Sequence, residues 1–355
     1  MVRKIFRIIG ILLLAVIVLV GALLLWLTLT EYKPAATEDV TPTAGAASSA
    51  APAAGDSVSI LSWNIGYAGL GKGSDFFMDG GKNSRSADRD TVNAYLSGIA
   101  GTIKTVDPDV TLLQEVDENS TRTYHINERD TLSAGANSTY ALNYSCKFVP
   151  YPLPPIGTVN SGLLTMTGYS IESAQRVALP CPFNWPLRIA NLKRCLLVNY
   201  IPLANSDKYL VMVDLHLEAY DSGEGKIAQT KMLNEFIQSE YEKGNYVIAG
   251  GDFNQEFPGA LDAYPNNHPD LWSPGTLDAG TLPDGWHFAC DLSVPSCRLD
   301  NQPYNAADTA NTQHYVIDGF ILSPNVELET VNTLDEGFTN SDHNPVLLKV
   351  TLKAG

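Results

Sequence analysis

The sequence predicts an α/β domain, strands covered by helices and of a size that two packed sheets would reach, held behind one membrane-spanning helix. Three observations lead there. Short apolar runs of strand length stop repeatedly at a polar residue, two stretches between them carry apolar residues at helical spacing, and residues 8–30 contain no charge at all.

The uncharged run Ile8 to Thr30 is long enough to cross a hydrocarbon core as a helix. Arg3, Lys4 and Arg7 precede it and Glu31 follows, so the charge bias puts residues 1–7 in the cytoplasm and everything after residue 30 outside. A cleaved signal peptide is the alternative, disfavoured by the length of the run and by the lack of a small-x-small site at its end. Residues 31–56, rich in Ala, Thr, Pro and Ser, read as a flexible linker, because so few large apolar groups cannot offset the entropy of ordering them. Residues 57–355 then form one domain, with no second linker or internal repeat.

Val58 to Asn64 (VSILSWN) alternates and is β-branched enough for a strand ending at Asn64. A Gly-rich segment, Gly66 to Gly81, follows as a mobile loop. Val92, Leu96, Ile99, Ile103 and Val106 form a helical stripe ended by Pro108, and Val110 to Gln114 is a buried-type strand delivering Glu115. The stretch Asn119 to Lys193 is the least readable. Its Tyr140, Tyr144, Phe148 and Trp185 are expected to fill space under long loops, although contact with substrate is the other use for them. Strands are expected at Gly162 to Met166, at Leu196 to Ile201 and at Leu210 to Leu217, the last presenting His216. A second helical stripe, from Ala228 to Tyr241, closes at Gly244. It feeds YVIAGGDFN, where a strand from Tyr246 runs into a Gly-Gly turn and presents Asp252 and Asn254, a carboxylate and an amide that suit a hydrated metal or a phosphate. A strand-like run, Tyr315 to Ser323, is interrupted by Asp318, and SDHNPV carries Asp342 and His343 into a last strand, Val346 to Leu352.

The formal charge is -16, and because four basic and four acidic residues precede residue 57, all of it sits on the domain. Such a surface repels polyanions at long range and argues against a processive nucleic-acid enzyme, which needs a basic stripe. Five cysteines beyond a membrane allow disulfides, with Cys290/Cys297 and Cys181/Cys195 as candidate pairs and Cys146 left over; free buried thiols are the alternative.

Taken together, WNIG, LLQEVD, DLHL, GGDFN, IDGFILS and SDHNPV occur in the order seen in the endonuclease/exonuclease/phosphatase superfamily, and the chain resembles that superfamily from about residue 57 to 352. Its members include DNase-like nucleases, inositol-polyphosphate phosphatases and neutral sphingomyelinases. The resemblance implies a four-layer αββα sandwich and a Mg²⁺-dependent hydrolase of phosphodiester or phosphomonoester bonds, with Mn²⁺ as a second metal. It implies that Glu115 binds metal, that Asn64 touches metal or phosphate, and that Asp342 belongs to the metal site. Asp252 would activate the attacking water, Asn254 and His343 would hold the phosphate, Asp318 would support the His343 imidazolium, and His216 would protonate the leaving group. The chain departs from the pattern at TMTGYS (165–170) and at Asp214, where an Asn is frequent, so substrate identity is open. A membrane-anchored, extracytoplasmic enzyme acting on a phospholipid is the reading that best suits the linker. A cell-surface nuclease and a catalytically silent binding module of the same fold are the alternatives.

Overall fold

The computed structural model describes residues 2–45 and 51–354. Its elements, in chain order, are α1 (Val2–Leu29), β1 (Thr37–Val40), β2 (Ser57–Asn64), α2 (Arg89–Val106), β3 (Val110–Asp117), α3 (Glu128–Leu132), β4 (Asn137–Val149), β5 (Gly157–Thr167), β6 (Ser173–Ala178), β7 (Cys195–Pro202), β8 (Tyr209–His216), α4 (Glu224–Glu242), β9 (Tyr246–Asp252), β10 (His287–Ala289), β11 (Asp318–Leu322), β12 (Val326–Thr333) and β13 (Val346–Leu352), with shorter turns and bridges between. One sheet has the order β1-β6-β7-β8-β9-β11-β10 and the other β12-β13-β2-β3-β5-β4.

The apolar residues sort these elements into four layers. Ile60, Leu112, Met212, Ile248, Phe320 and Leu348 fill the space between the sheets. Outside one sheet, Val92, Leu96 and Ile99 of α2 pack on Trp63, Leu113 and Leu164. Outside the other, Leu233 and Ile237 of α4 pack on Val213, Leu215 and Ala249. The α2 stripe starts where Asp88 accepts a bond from the Thr91 amide, a cap worth about 1 kcal/mol, and stops at Asp107, one residue before Pro108. Gly244, at φ 86°, closes α4 with its amide on the Tyr241 carbonyl, as its position in the sequence predicts.

Two parallel pairs set the function-bearing end. β2 pairs with β3 in the register Asn64↔Gln114, and β8 with β9 in the register His216↔Asp252, each across one helix. Antiparallel β11 begins opposite the same end, with Asp318↔Asp252. Polar residues from both sheets therefore emerge on one edge of the sandwich, where the backbone ladders stop.

Several expectations change. Thr37–Val40, within the stretch read as a flexible linker, is an edge strand on β6, and Thr43 bridges Ser138. An edge strand gains its partners from the backbone, so a segment poor in apolar residues can still be docked. The loop read as mobile, Gly66 to Gly81, is in its first part packed: Tyr67, Ala68 and Leu70 are buried, and a side chain at Gly66 would collide with the Asp342 carboxylate. Gly250 and Gly251 do not form a turn. They lie inside β9, where a Cβ would strike the Phe320 ring and the Leu215 carbonyl respectively. Asp318 starts its strand instead of interrupting one. The unreadable middle contains the long hairpin β4/β5; Tyr144 is buried as expected, whereas Trp185 is exposed. All five cysteines are free.

Candidate active site

The cleft is built around one carboxylate oxygen. Asp252 Oδ2 accepts from the Asn64 amide at 3.0 Å and from the Asn254 amide at 3.3 Å, and it lies 3.4 Å from His216 Nε2 and 3.9 Å from His343 Nε2. The other oxygen, Oδ1, accepts from the Asn254 backbone at 2.8 Å. Burial, reinforced by the neighbouring Asp318 charge, pushes the Asp252 pKa up to about 7. A carboxylate with that value can both take and return a proton near neutrality.

His343 is held from the opposite side. Its Nδ1 is 2.9 Å from Asp318 Oδ2, which also accepts from the Ser296 hydroxyl at 2.7 Å. Trp63 Nε1 donates to the His343 carbonyl at 2.8 Å and so fixes the loop that bears it. Burial alone would lower this imidazole, but Asp318, Cys297 and Asp342 outweigh it and keep the pKa well above the ordinary value. His216 behaves in the opposite way: burial, then the positive neighbours Arg194 and His343, hold it well below the ordinary value. Of the two rings, His343 is the one that carries an extra proton.

Glu115 reaches the cleft because β3 bulges. The β3–β5 register shifts between Leu113 and Val116, and Glu115 sits there at φ 58°, a left-handed backbone that re-aims its side chain. Its carboxylate accepts a long bond, 3.3 Å, from the Asn64 amide, and burial raises its pKa, against the lowering by Arg122 and with a smaller raising contribution from the Asp342 charge. Asp342 rests on the Ser341 hydroxyl at 3.2 Å, which in turn donates to the Asn64 carbonyl at 2.8 Å. Two carboxylates thus share a partly desolvated corner beside the Asn64 amide, whose NH₂ faces Glu115 and whose oxygen accepts from the Gly66 amide at 3.1 Å, and among the described residues Glu115 makes no direct ion pair. Hard anionic oxygens destabilised by burial and by each other are what a small divalent cation relieves, so the donor set fits Mg²⁺ or Mn²⁺. Asp252, Asp318 and His343 also bring ligand-type atoms within 4.8 Å of one another, but the His343–Asp318 contact already satisfies that group as a hydrogen-bonded ion pair.

Every site residue expected from the sequence lines or abuts this cleft: Asn64, Glu115, His216, Asp252, Asn254, Asp342 and His343 line it, and Asp318 stands behind His343. Other residues there had no readable motif. Arg122 is gripped in two places by Asp117, at 2.9 and 2.8 Å, and lies 3.6 Å over the Tyr67 ring. Arg194 donates to the His216 carbonyl at 3.1 Å. The Tyr220 hydroxyl lies 3.1 Å from Asp79, whose pKa burial pushes up to about 7. Only the Asp of LLQEVD signals Arg122 in advance; the other three come from loops with no pattern to read.

A family model, described as the Endonuclease/Exonuclease/phosphatase family, matches residues 61–343. The chain belongs to that family. Among solved structures, the endonuclease/exonuclease/phosphatase from Beutenbergia cavernae DSM 12333 matches at 16% identity and TM-score 0.55, over 84% of this chain and 72% of that one. The human Nocturnin catalytic domain, solved with bound sulfate, matches at 16% and 0.51 over 84% and 94%. The 2',3'-cyclic phosphatase ANGEL2 matches at 15% and 0.51 over 84% and 96%. At these identities the likeness is one of fold. A comparison with curated proteins found no match. Asp214 lies between the sheets and accepts from Gln114 at 2.7 Å; burial pushes its pKa well above the carboxylate range, which favours the neutral acid there.

Proposed function

We propose that the chain is a membrane-anchored, extracytoplasmic, Mg²⁺-dependent phosphodiesterase. The observation that carries this is the pairing of Asp252, poised near neutrality, with a His343 imidazolium 3.9 Å away and backed by Asp318. Glu115, Asn64 and Asp342 would hold the divalent cation, which when bound neutralises charge on the phosphoryl oxygens. The Asp252 carboxylate takes a proton from water as the water oxygen bonds to phosphorus. The ester P–O bond breaks, and the departing oxygen takes the Nε2 proton of His343; transfer from Asp252 to His343 then restores both. This assignment moves the leaving-group proton from His216, the residue the resemblance implies, to His343, because burial keeps the His216 ring neutral. The neutral His216 ring instead packs against Asp252, its Nε2 3.4 Å from the carboxylate. Asn254, whose amide also donates to the Leu217 carbonyl at 2.9 Å, orients the Asp252 carboxylate and lines the phosphate position.

The test is hydrolysis of bis(p-nitrophenyl) phosphate by the full chain in detergent, with Mg²⁺ or Mn²⁺ added back after chelation. Metal-dependent turnover that falls to the blank in Asp252→Asn and His343→Ala supports the reading. Tight binding of diesters with no turnover in any metal would make the chain a binding module.

A further inference from the structure

The membrane helix does not hang free of the domain; its last turns are seated beside the cleft. Leu27 is 5% exposed and packs with Leu23 against Tyr144, Ile156, Phe77, Ala190 and Leu192. Those five domain residues also line the cleft, so one apolar wall separates the helix end from the site. Polar contacts hold the joint at its top. Trp185 Nε1 donates to the Thr28 hydroxyl at 3.1 Å, and the Glu31 carboxylate, 2% exposed, receives Arg188 at 3.0 Å and Lys193 at 3.7 Å. Around this joint the domain exposes large apolar side chains from two loops: Tyr151 (68%) and Leu153 (85%) from one, Trp185 (54%) and Leu187 (67%) from the other. Tyr151 continues the cleft wall, its ring 5.8 Å from that of Phe77.

With α1 across a bilayer, Thr28 lies at the depth where a span ends, and Trp185, bonded to it, lies at the headgroup level that Trp and Tyr favour. We propose that these two loops are a bilayer-contact rim and that the cleft opens onto the membrane surface, taking as substrate the phosphodiester of a zwitterionic phospholipid. The rim is continuous with the helix that anchors the chain, which is why its occupant is the bilayer. The charge of -16 disfavours an anionic headgroup at long range, while beside the rim Arg188, Lys193 and Lys33 gather on one carboxylate, Glu31, and so leave a local positive charge for the phosphate of a net-neutral headgroup to meet. The lipid stays partly in its leaflet while the headgroup reaches Asp252 along the Phe77–Ile156 wall. This inference rests on α1 being a membrane span and on the cleft being a phosphodiesterase site, and the test separates a failure of the rim or of the lipid substrate from a failure of the hydrolase.

The full chain is placed in phosphatidylcholine nanodiscs with a polarity-sensitive dye on Leu153→Cys, in a Cys181→Ser background that removes the exposed thiol. The dye is expected to be blue-shifted and quenched by a lipid-borne nitroxide, unlike the same dye on Ile227→Cys of α4, which is 71% exposed. A dye at 153 as wet as that at 227 overturns the rim. Separately, Leu153→Asp/Leu187→Asp is expected to lose about tenfold or more of the turnover on nanodisc phosphatidylcholine while keeping that on the soluble diester. Equal turnover by variant and wild type on the lipid overturns the proposal. Wild type that cleaves the soluble diester but not the lipid overturns the substrate class and leaves the hydrolase; failure on both substrates, with the dye in lipid, overturns the hydrolase and leaves the rim.

Discussion

Asp318→Asn is the substitution that probes the site most directly. The Asp318 carboxylate is buried, 2.9 Å from His343 Nδ1, and its charge is the chief reason the imidazole holds a proton despite burial. Replacing a charge-assisted bond by a neutral one removes about 1.5–3 kcal/mol, which at about 1.4 kcal/mol per decade is a loss of roughly 10- to 150-fold in kcat. The pH profile carries the sharper signature. In the wild type, activity rises as Asp252 ionises near pH 7 and falls only above the neutral range, where His343 loses its proton. In Asp318→Asn, the chief support of the imidazolium is gone, so the alkaline limb moves down toward the neutral range, and because the Asp318 charge also raises Asp252, the acid limb moves down with it and the whole optimum shifts to lower pH. The double variant with His343→Ala is expected to be hardly worse than His343→Ala alone, because a carboxylate that acts through the ring has nothing to support once the ring is gone. Steady-state rates on the soluble diester from pH 5 to about 10 measure both effects. Multiplicative losses, or an alkaline limb that stays where it was, would refute the pairing.

Other outcomes follow from particular contacts. Glu115→Gln is expected to weaken Mg²⁺ binding at least tenfold by calorimetry while the metal-free melting temperature holds or rises, because the substitution removes the cost of burying a charge; unchanged Mg²⁺ affinity would remove Glu115 from the metal corner. Asp214 keeps in the folded state a proton that the unfolded chain releases, so the stability it supports is complete below the ordinary carboxylate range and is lost as pH rises toward its elevated folded value. Asp214→Asn cannot titrate, so it should melt above wild type at pH 8, by about 1.4 kcal/mol for each pH unit of that elevation crossed, with the gap closing near pH 4; a lower melting temperature at pH 8 would show that the carboxylate is ionised. A domain piece starting at residue 31 should melt several degrees above one starting at residue 57, since only the former keeps β1 on β6 and the Thr43 bridge to Ser138; equal melting temperatures would mean that the edge strand adds nothing.

By itself the sequence determined the local elements and the residues at their ends. The α2 and α4 stripes, the Asp88 and Gly244 boundaries and the apolar strands are legible because each is encoded within a few turns of chain, by side-chain period and by caps. The polar residues at strand ends could be picked out for the same reason. Their convergence could not be read from any one of those stretches. Asn64, Asp252 and His343 are brought within 4 Å by the facing of two sheets, and Glu115 enters only because a bulge in β3 turns its backbone left-handed. Both are settled by pairings between segments far apart in the chain. The same holds for Gly250 and Gly251, which read as a turn until Phe320 and Leu215 crowd them, and for Thr37–Val40, whose partner β6 supplies what its own composition lacks. It holds for charge as well: the two histidines have one intrinsic affinity for protons, and only burial beside Asp318 or beside Arg194 decides that His343 is the cation and His216 the neutral ring.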